Sequence, residues 1–316
     1  MLMTLATLAA FGIAQQTDTT FPVRAGARLE VNNFGGEIAI KAWSKNAVRI
    51  AASHSSHDHI MIDASDQFVR VKSEGRRGPA QLVEYDITVP TTMALALSGV
   101  YTDITVEGTQ GEITAETVEG GVRVSGGAGT VSLKSVQGEV TLEKARGRID
   151  LNTVNEGITA TGISGDLSVE TVNGDITLNQ IESANTEANT VNGDIVYDGT
   201  IKDGGRYRFS THDGNLRVSI PEKAGVSVSV STFDGNFSAC FPVQLSRKTR
   251  HRFDFTVGSG SARVELESFN GDIKICRPGA VMKEGDKNWH KEKDKDWGKD
   301  KNKDKNKNED QQPEEP

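Results

Sequence analysis

A nine-residue repeat is the feature that most constrains how this chain can fold. Nine consecutive nonapeptides run from Gly99 to Asn179; their sixth position is aliphatic and their eighth apolar in every copy, and their fourth is glycine in seven. Apolar residues two apart lie on one face of a β-strand, and glycine supplies the positive φ of a tight corner. Each nonapeptide therefore predicts one short strand followed by one turn.

A second period of eighteen residues is superimposed on the first. The alternate nonapeptides from residue 117 onward begin with Thr or Ser, and the second position of those four copies is valine: Val118, Val136, Val154 and Val172. A coil with two strands per turn places residues i and i+18 in register. An antiparallel meander has the same period but leaves an apolar face uncovered. The pattern thus favours an all-β fold, a single-stranded β-solenoid (β-helix) of nine-residue strands with about 18 residues per coil.

The repeat continues less regularly toward the C-terminus. Its phrase Thr-Val-Asn-Gly-Asp-Ile returns, with variations, at Thr190, Thr211, Thr232 and Ser268, so the predicted solenoid domain covers residues 98–278. Longer spacings predict a wider interior there, filled by aromatic side chains. The residues expected inside are Tyr197, Phe209, Phe233, Phe237, Phe253, Phe255 and Phe269.

The regions outside the repeat predict two ends and an export signal. Residues 21–97 contain alternating runs spaced too irregularly for the coil, and they are predicted to form an N-terminal β cap. Residues 1–14 have a short apolar run followed by Gly12-Ile13-Ala14, which resembles a signal peptide although no Lys or Arg precedes the run. Residues 279–316 mix both charges with little apolar content and predict a disordered tail.

Charge and hydropathy narrow the location and the partners. The formal net charge is −8, and no basic patch is evident in the sequence, which argues against a nucleic-acid partner. No stretch after the leader is long and apolar enough for a membrane helix, so no transmembrane segment is expected in the mature chain. We expect an exported protein of the periplasm, cell surface or extracellular space.

Three segments resemble a known family. They are Asn33-Phe34-Gly35-Gly36-Glu37-Ile38, Tyr85-Asp86-Ile87-Thr88-Val89-Pro90 and the repeated Thr-Val-Asn-Gly-Asp-Ile phrases that end at Asn270-Gly271-Asp272-Ile273. Together they are similar to an uncharacterised family of exported bacterial β-strand-repeat proteins, a domain of unknown function commonly labelled "putative adhesin". The resemblance covers roughly residues 25–276. It implies an envelope or surface location and brings no known catalytic residues.

The sequence offers little support for catalysis or for a cofactor. Polysaccharide-active β-helices carry paired carboxylates in a groove, whereas here the fifth repeat position mixes acidic residues with Gly121, Thr130, Arg148 and Gly157. The same interruptions argue against a column of calcium ions, which needs an acidic ligand in nearly every repeat. We therefore predict a non-enzymatic protein that needs no cofactor, in which Asn-Gly-Asp is turn chemistry.

Two residue groups remain as candidate sites. His54, His57 and His59 form the densest set of possible metal ligands, but the favoured interpretation is a polar loop in the cap and no metal site is predicted. Cys240 and Cys276 follow a repeat phrase at the same offset. They would lie close enough for a disulfide if their separation of 36 residues makes one expanded turn, and too far apart if it makes two regular turns. Two buried free thiols are the alternative.

These observations lead to ranked functional hypotheses. The first is a cell-envelope binding or scaffold module that presents ladders of polar side chains to an envelope polymer or surface protein. The second is an envelope sensor or assembly component that acts through a protein partner. A polysaccharide-active β-helix enzyme is the least favoured, because paired carboxylates are missing.

Overall fold

The chain folds almost entirely into β-strands. The structure, a computed structural model, describes residues 15–76, 78–79 and 82–279. The predicted signal peptide and nearly all of the predicted disordered tail therefore lie outside the described residues. The strands are β1 (Gln15–Pro22), β2 (Arg28–Trp43), β3 (Ala47–His54), β4 (Asp58–Ala64), β5 (Phe68–Gly75), β6 (Gly78–Pro79), β7 (Val83–Pro90), β8 (Ala94–Thr109), β9 (Ile113–Glu119), β10 (Val122–Gly126), β11 (Ala128–Gln137), β12 (Val140–Glu143) and β13 (Arg146–Asn152). They continue with β14 (Ile158–Thr161), β15 (Ser164–Glu170), β16 (Ile176–Ile181), β17 (Asn185–Asn192), β18 (Ile195–Gly199), β19 (Arg206–Asp213), β20 (Leu216–Ser219), β21 (Val226–Asp234), β22 (Phe237–Ala239), β23 (Leu245–Lys248), β24 (Arg252–Val257), β25 (Ala262–Asn270) and β26 (Ile273–Cys276).

Parallel pairing joins each strand from β9 to β18 to the second strand after it. The pairs β8–β10–β12–β14–β16–β18–β20 form one ladder, and β8–β9–β11–β13–β15–β17–β19 form the other, with the long strand β8 contributing to both. Val122 lies opposite Val140 in the first ladder, and Val131 lies opposite Ile149 in the second. The offset is eighteen residues, as the sequence period predicts. We call each stretch of chain that supplies one strand to each ladder a unit.

The core consists of the aliphatic repeat positions from both ladders. Every sixth-position and eighth-position residue between Ile104 and Leu178 is at most 3% exposed, which confirms the inward orientation predicted from the repeat. A single hydrophobic cluster contains the residues of both ladders. Tyr197, Phe209 and Phe255 are buried in it, and Phe237 and Phe253 pack partly buried against it.

The N-terminal strands extend the ladders and then end them. β2 pairs in parallel along both halves of β8, with Leu29 opposite Leu95 and Ile38 opposite Ile104. On its other side β2 pairs with β5 and β7, which in turn pair antiparallel with β4 and β3. Residues 28–43 lie within the predicted N-terminal β cap but continue the regular parallel ladders. The antiparallel strands β3 and β4 lie beyond them.

The order of units at the C-terminal end departs from the order in the sequence. β25 and β26 pair with β19 and β20 on one side and with β21 and β22 on the other. The last unit therefore inserts between two units that precede it in the chain. The N-terminal end has the same departure, because β2 lies between β8 and the β5–β7 unit.

Candidate binding surface

The first residue of the repeat phrase is an internal hydrogen-bond donor. Thr153 is 5% exposed, and its hydroxyl donates to the Gly138 carbonyl oxygen of the preceding unit at 3.1 Å. The same bond recurs from unit to unit. Its other donors are Thr117, Ser135, Thr171, Thr190, Thr211, Ser268 and Thr232. Each hydroxyl satisfies a corner carbonyl that the strand ladders leave free, so this position is structural.

The aspartate of the phrase also binds a neighbouring unit. The Asp175 carboxylate accepts the Asp194 backbone N–H at 2.7 Å, and the Asp194 carboxylate accepts the Asn215 backbone N–H at 2.8 Å. Asp103 and Asp272 accept N–H groups from adjacent units in the same way. These carboxylates hold the turns together, as the reading of Asn-Gly-Asp as turn chemistry expects.

The asparagine and glycine of the phrase complete the turn. Asn192 donates its side-chain amide to Asn173 at 2.8 Å, and Asn173 donates to Asn155 at 3.3 Å. At Gly138 a Cβ atom would overlap the Gly120 carbonyl oxygen of the preceding unit. Only glycine permits units to approach this closely at the corner.

The second residue of the phrase has no such role, although it is apolar. Val118 occupies this second position in the first copy of the phrase and is 48% exposed. The valines at the same position in the next four copies are 37–43% exposed. Because the preceding Thr and Ser residues are in register, their neighbours form one continuous line across the units. We call this line the apolar ridge; in spatial order it consists of Val118, Val136, Val154, Val172, Val191, His212, Phe269 and Phe233.

The ridge ends in a stack of four aromatic rings. His212 stacks on Phe269 with ring centroids 4.8 Å apart, Phe269 on Phe233 at 4.8 Å, and Phe233 on His251 at 4.9 Å. The prediction that Phe233 and Phe269 fill the interior is wrong, because they are 60% and 45% exposed. Each occupies the outward second position of its phrase, the position held by Val118 and its equivalents, and that alignment was the signal available in the sequence.

The three candidate metal ligands near residue 54 do not converge. The imidazole of His54 lies 3.3 Å from the Thr17 hydroxyl through Nε2 and 2.9 Å from the Ser55 carbonyl oxygen through Nδ1. His57 lies in the following turn, and His59 lies in β4 opposite Glu74 of β5. Among residues 15–76, 78–79 and 82–279, no group of three or more His, Cys, Asp or Glu side chains could hold a metal ion.

The two cysteines meet at the C-terminal end. Cys240 and Cys276 form a disulfide with Cα atoms 4.8 Å apart. Cys240 directly follows β22, and Cys276 is the last residue of β26; these two strands pair in parallel. Of the two arrangements that the sequence left open, the structure has the one with both cysteines on adjacent units. The bond joins the inserted last unit to its outer neighbour.

Comparison with known families places the chain. The profile of the family described as Toastrack DUF4097 matches residues 27–276. The protein belongs to the DUF4097 toastrack family, which agrees with the resemblance carried by the three sequence segments.

Several solved structures are similar over most of the chain. A putative adhesin from Bacteroides fragilis is 11% identical, with a TM-score of 0.41, and the match covers 83% of this chain and 97% of that one. A putative adhesin from Parabacteroides merdae is 11% identical, with a TM-score of 0.36 over 83% and 96% of the two chains. A protein described as a putative lipid binding protein from Parabacteroides distasonis is 9% identical, with a TM-score of 0.42 over 82% and 96%. A comparison with curated proteins gives no match. In the part of the chain that the structure describes, no helix is long and apolar enough to cross a membrane.

Proposed function

We propose that this chain is a non-catalytic, adhesin-like binding module of the bacterial cell envelope, and that its two ladders are the faces of one β-solenoid with about 18 residues per coil. The apolar ridge is its main contact surface. Membership of the toastrack family and the in-register ladders support this proposal. A stack of equivalent units presents the same side chain repeatedly along one line, which suits an extended partner.

The exposure of the second phrase position carries the proposal. The Thr or Ser, Asn, Gly and Asp of the phrase all bind or closely approach a neighbouring unit, as shown at Thr153, Asn173, Gly138 and Asp175. A polar residue would satisfy the exposed second position without cost to the fold. Val or Phe is found there in seven units instead, and the eighth holds His212, whose ring stacks on Phe269. An exposed apolar line of this length is typical of an interaction surface.

The proposed location is outside the cytoplasm. The Cys240–Cys276 disulfide supports it, because structural disulfides persist in oxidising compartments. The apolar run in residues 1–14 supports export in the same direction.

A second candidate function, an assembly or sensor component that acts through a protein partner, is favoured by the chemistry of the ring stack. Aromatic residues are enriched in the centres of protein–protein interfaces. Phe233 and Phe269 stand exposed side by side at one end of the ridge, where a partner protein could cover both rings.

Co-sedimentation with cell-envelope fractions tests both functions. The double variant Phe233→Ser/Phe269→Ser should reduce saturable capture by roughly tenfold or more, since each half-exposed ring contributes about 1 kcal/mol when covered. The matched control is Met61→Ser/Leu82→Ser, which removes two exposed apolar side chains, 52% and 68% exposed, from positions outside the ridge. The control should bind like the wild type.

Protease treatment of the fractions separates the two functions. Capture that survives protease indicates an envelope polymer, and capture that is lost indicates a protein partner. If no fraction binds saturably, or if both double variants lose capture equally, the ridge is not the binding surface.

A further inference from the structure

A second surface has a different chemistry from the ridge. A groove crosses the outer face of the β13–β15–β17–β19–β25 ladder, and its lining includes the arginines Arg148, Arg206, Arg208 and Arg263. Residues 1–281 carry a net charge of −7, because the tail from residue 282 accounts for only −1 of the total of −8. Four arginines in one groove of an acidic chain therefore need an explanation.

Two of these arginines are direct neighbours across the ladder. Arg206 of β19 lies opposite Arg263 of β25, so their backbones are about 4.8 Å apart. Both are exposed, and within the described residues neither forms an ion pair with a carboxylate. Like charges placed directly opposite each other destabilise a sheet. An anion bound between the two guanidinium groups would remove that repulsion.

Short side chains form the floor between the arginines. From Arg148 the ladder passes through Asp166 and Asn185 to reach Arg206, which is three strand steps or roughly 14 Å. The Asp166 carboxylate accepts a hydrogen bond from the Asn185 side chain at 2.9 Å. Long arginines therefore stand on both sides of a floor whose central carboxylate is already hydrogen-bonded.

The remaining charges of the groove are partly engaged. Arg208 lies 3.5 Å from the Glu267 carboxylate, and Glu187 accepts a hydrogen bond from Asn189 at 3.3 Å. Glu265 lies opposite Arg208 in the ladder. This leaves the Arg206–Arg263 pair and Arg148 as the cations that are open to a ligand.

We propose that this groove binds an anionic chain molecule through its carboxylate or phosphate oxyanions, one of them held between Arg206 and Arg263 and another near Arg148. The planar guanidinium fork matches both kinds of oxyanion with paired hydrogen bonds. A chain with repeated charges can contact Arg148 and the Arg206–Arg263 pair at the same time, whereas a small anion can contact only one of them. The identification of this chain molecule as an envelope polymer rests on the proposed envelope-binding function.

Fluorescence anisotropy with two labelled probes, a linear polygalacturonate and a polyphosphate of matched length, tests the proposal on the full chain. We expect saturable binding of at least one probe, and weakening by at least about tenfold in Arg206→Gln/Arg263→Gln. Binding of polygalacturonate alone assigns carboxylates, and binding of polyphosphate alone assigns phosphates. The conservative variant Arg206→Lys/Arg263→Lys keeps the charge but loses the paired geometry, so it should bind with intermediate affinity.

The matched control is Arg76→Gln/Arg123→Gln, which removes two exposed arginines that do not line the groove. It should retain nearly wild-type affinity, and circular dichroism should show all variants folded. Equal weakening in the control would show diffuse attraction and overturn the proposal, as would no binding of either probe. Monomeric galacturonate that competes as well as the polymer at equal uronate concentration would refute a chain ligand. These outcomes are independent of the ridge, because Phe233→Ser/Phe269→Ser should bind both probes normally.

Discussion

Replacement of one internal hydroxyl should destabilise the protein more than an equivalent change one residue away. Thr153→Val removes the hydrogen bond to the Gly138 carbonyl oxygen and keeps the side-chain shape. One lost hydrogen bond with a partly buried carbonyl left unsatisfied costs about 1–2 kcal/mol in the free energy of unfolding.

A control variant and a triple variant test whether the loss of stability comes from the hydroxyl groups. Val154→Thr makes the reverse change at an exposed ridge position and should alter the free energy of unfolding by no more than about 0.5 kcal/mol. Thr117, Thr153 and Thr190 lie two units apart, roughly 10 Å, so the triple change to Val should cost about 3 kcal/mol or more.

Urea unfolding followed by circular dichroism measures these differences as shifts of the midpoint at an unchanged m value. If Thr153→Val and Val154→Thr shift the midpoint equally, or if the triple variant is no less stable than the single one, the hydroxyl line does not hold the units together.

Three further predictions concern the disulfide, a buried tyrosine and a corner glycine. Cys240→Ala/Cys276→Ala opens a loop of 36 residues and should lower the free energy of unfolding by about 4 kcal/mol, seen as loss of amide-exchange protection in β21–β26; unchanged protection there would contradict this role. Burial raises the pKa of Tyr85 to about 12. Because the folded state favours the neutral phenol, the contribution of Tyr85 to stability is full below pH ~10 and falls by about 2–3 kcal/mol between pH ~10 and ~12. Burial also raises the pKa of Tyr197 and Tyr207, so Tyr85→Phe should still lose stability over this range, but by about 2–3 kcal/mol less than the wild type; equal alkaline curves for both proteins would refute the assignment. Gly138→Ala forces a Cβ onto the Gly120 carbonyl oxygen and should cost more than about 2 kcal/mol in a thermal melt. Gly121→Ala, whose Cβ would meet its nearest atom at an ordinary 3.5 Å, is the control and should cost less; equal losses would contradict the close approach.

The sequence predicts the interior of the fold well because each strand there is specified locally. Val140 and Leu142 are apolar at positions six and eight, and both are fully buried. Their partners eighteen residues away have the same pattern, so local preference and long-range pairing agree. Strand identity, facing and register could therefore be predicted together.

The ends could not be predicted in the same way. The alternation in β25 identifies a strand with Val264 and Leu266 inward, but it does not say whether β19 or β21 is its neighbour. Both neighbours offer an apolar face of similar pattern, so the choice is made by three-dimensional packing. The same ambiguity left the disulfide undecided, because a separation of 36 residues is compatible with one long turn or two regular ones.

The candidate site shows a different limit. Hydrophobicity alone predicts an interior position for Phe233 and Phe269, because large apolar residues are usually buried. Their register with the exposed valines of the ridge was a better guide than their hydrophobicity. The arginine groove could not be predicted from the sequence for a different reason. Arg206 and Arg263 are 57 residues apart and become neighbours only because the last unit inserts beside β19.

The inserted last unit also has a consequence for synthesis. While the chain emerges from the ribosome, β19 and β20 present an open edge until residues 262–276 have been made, although β21 and β22 already exist by then. An early contact between β21 and β19 would occupy the position that β25 must take. Ribosome-bound chains ending just before Ala262 should therefore aggregate or bind chaperones on release, and chains ending after Cys276 should not, which a release-and-pelleting assay can measure. The final strands thus complete the fold by inserting between two units that are already made. Insertion or deletion of a whole 18-residue unit should be tolerated best in the regular interior, where it changes neither end.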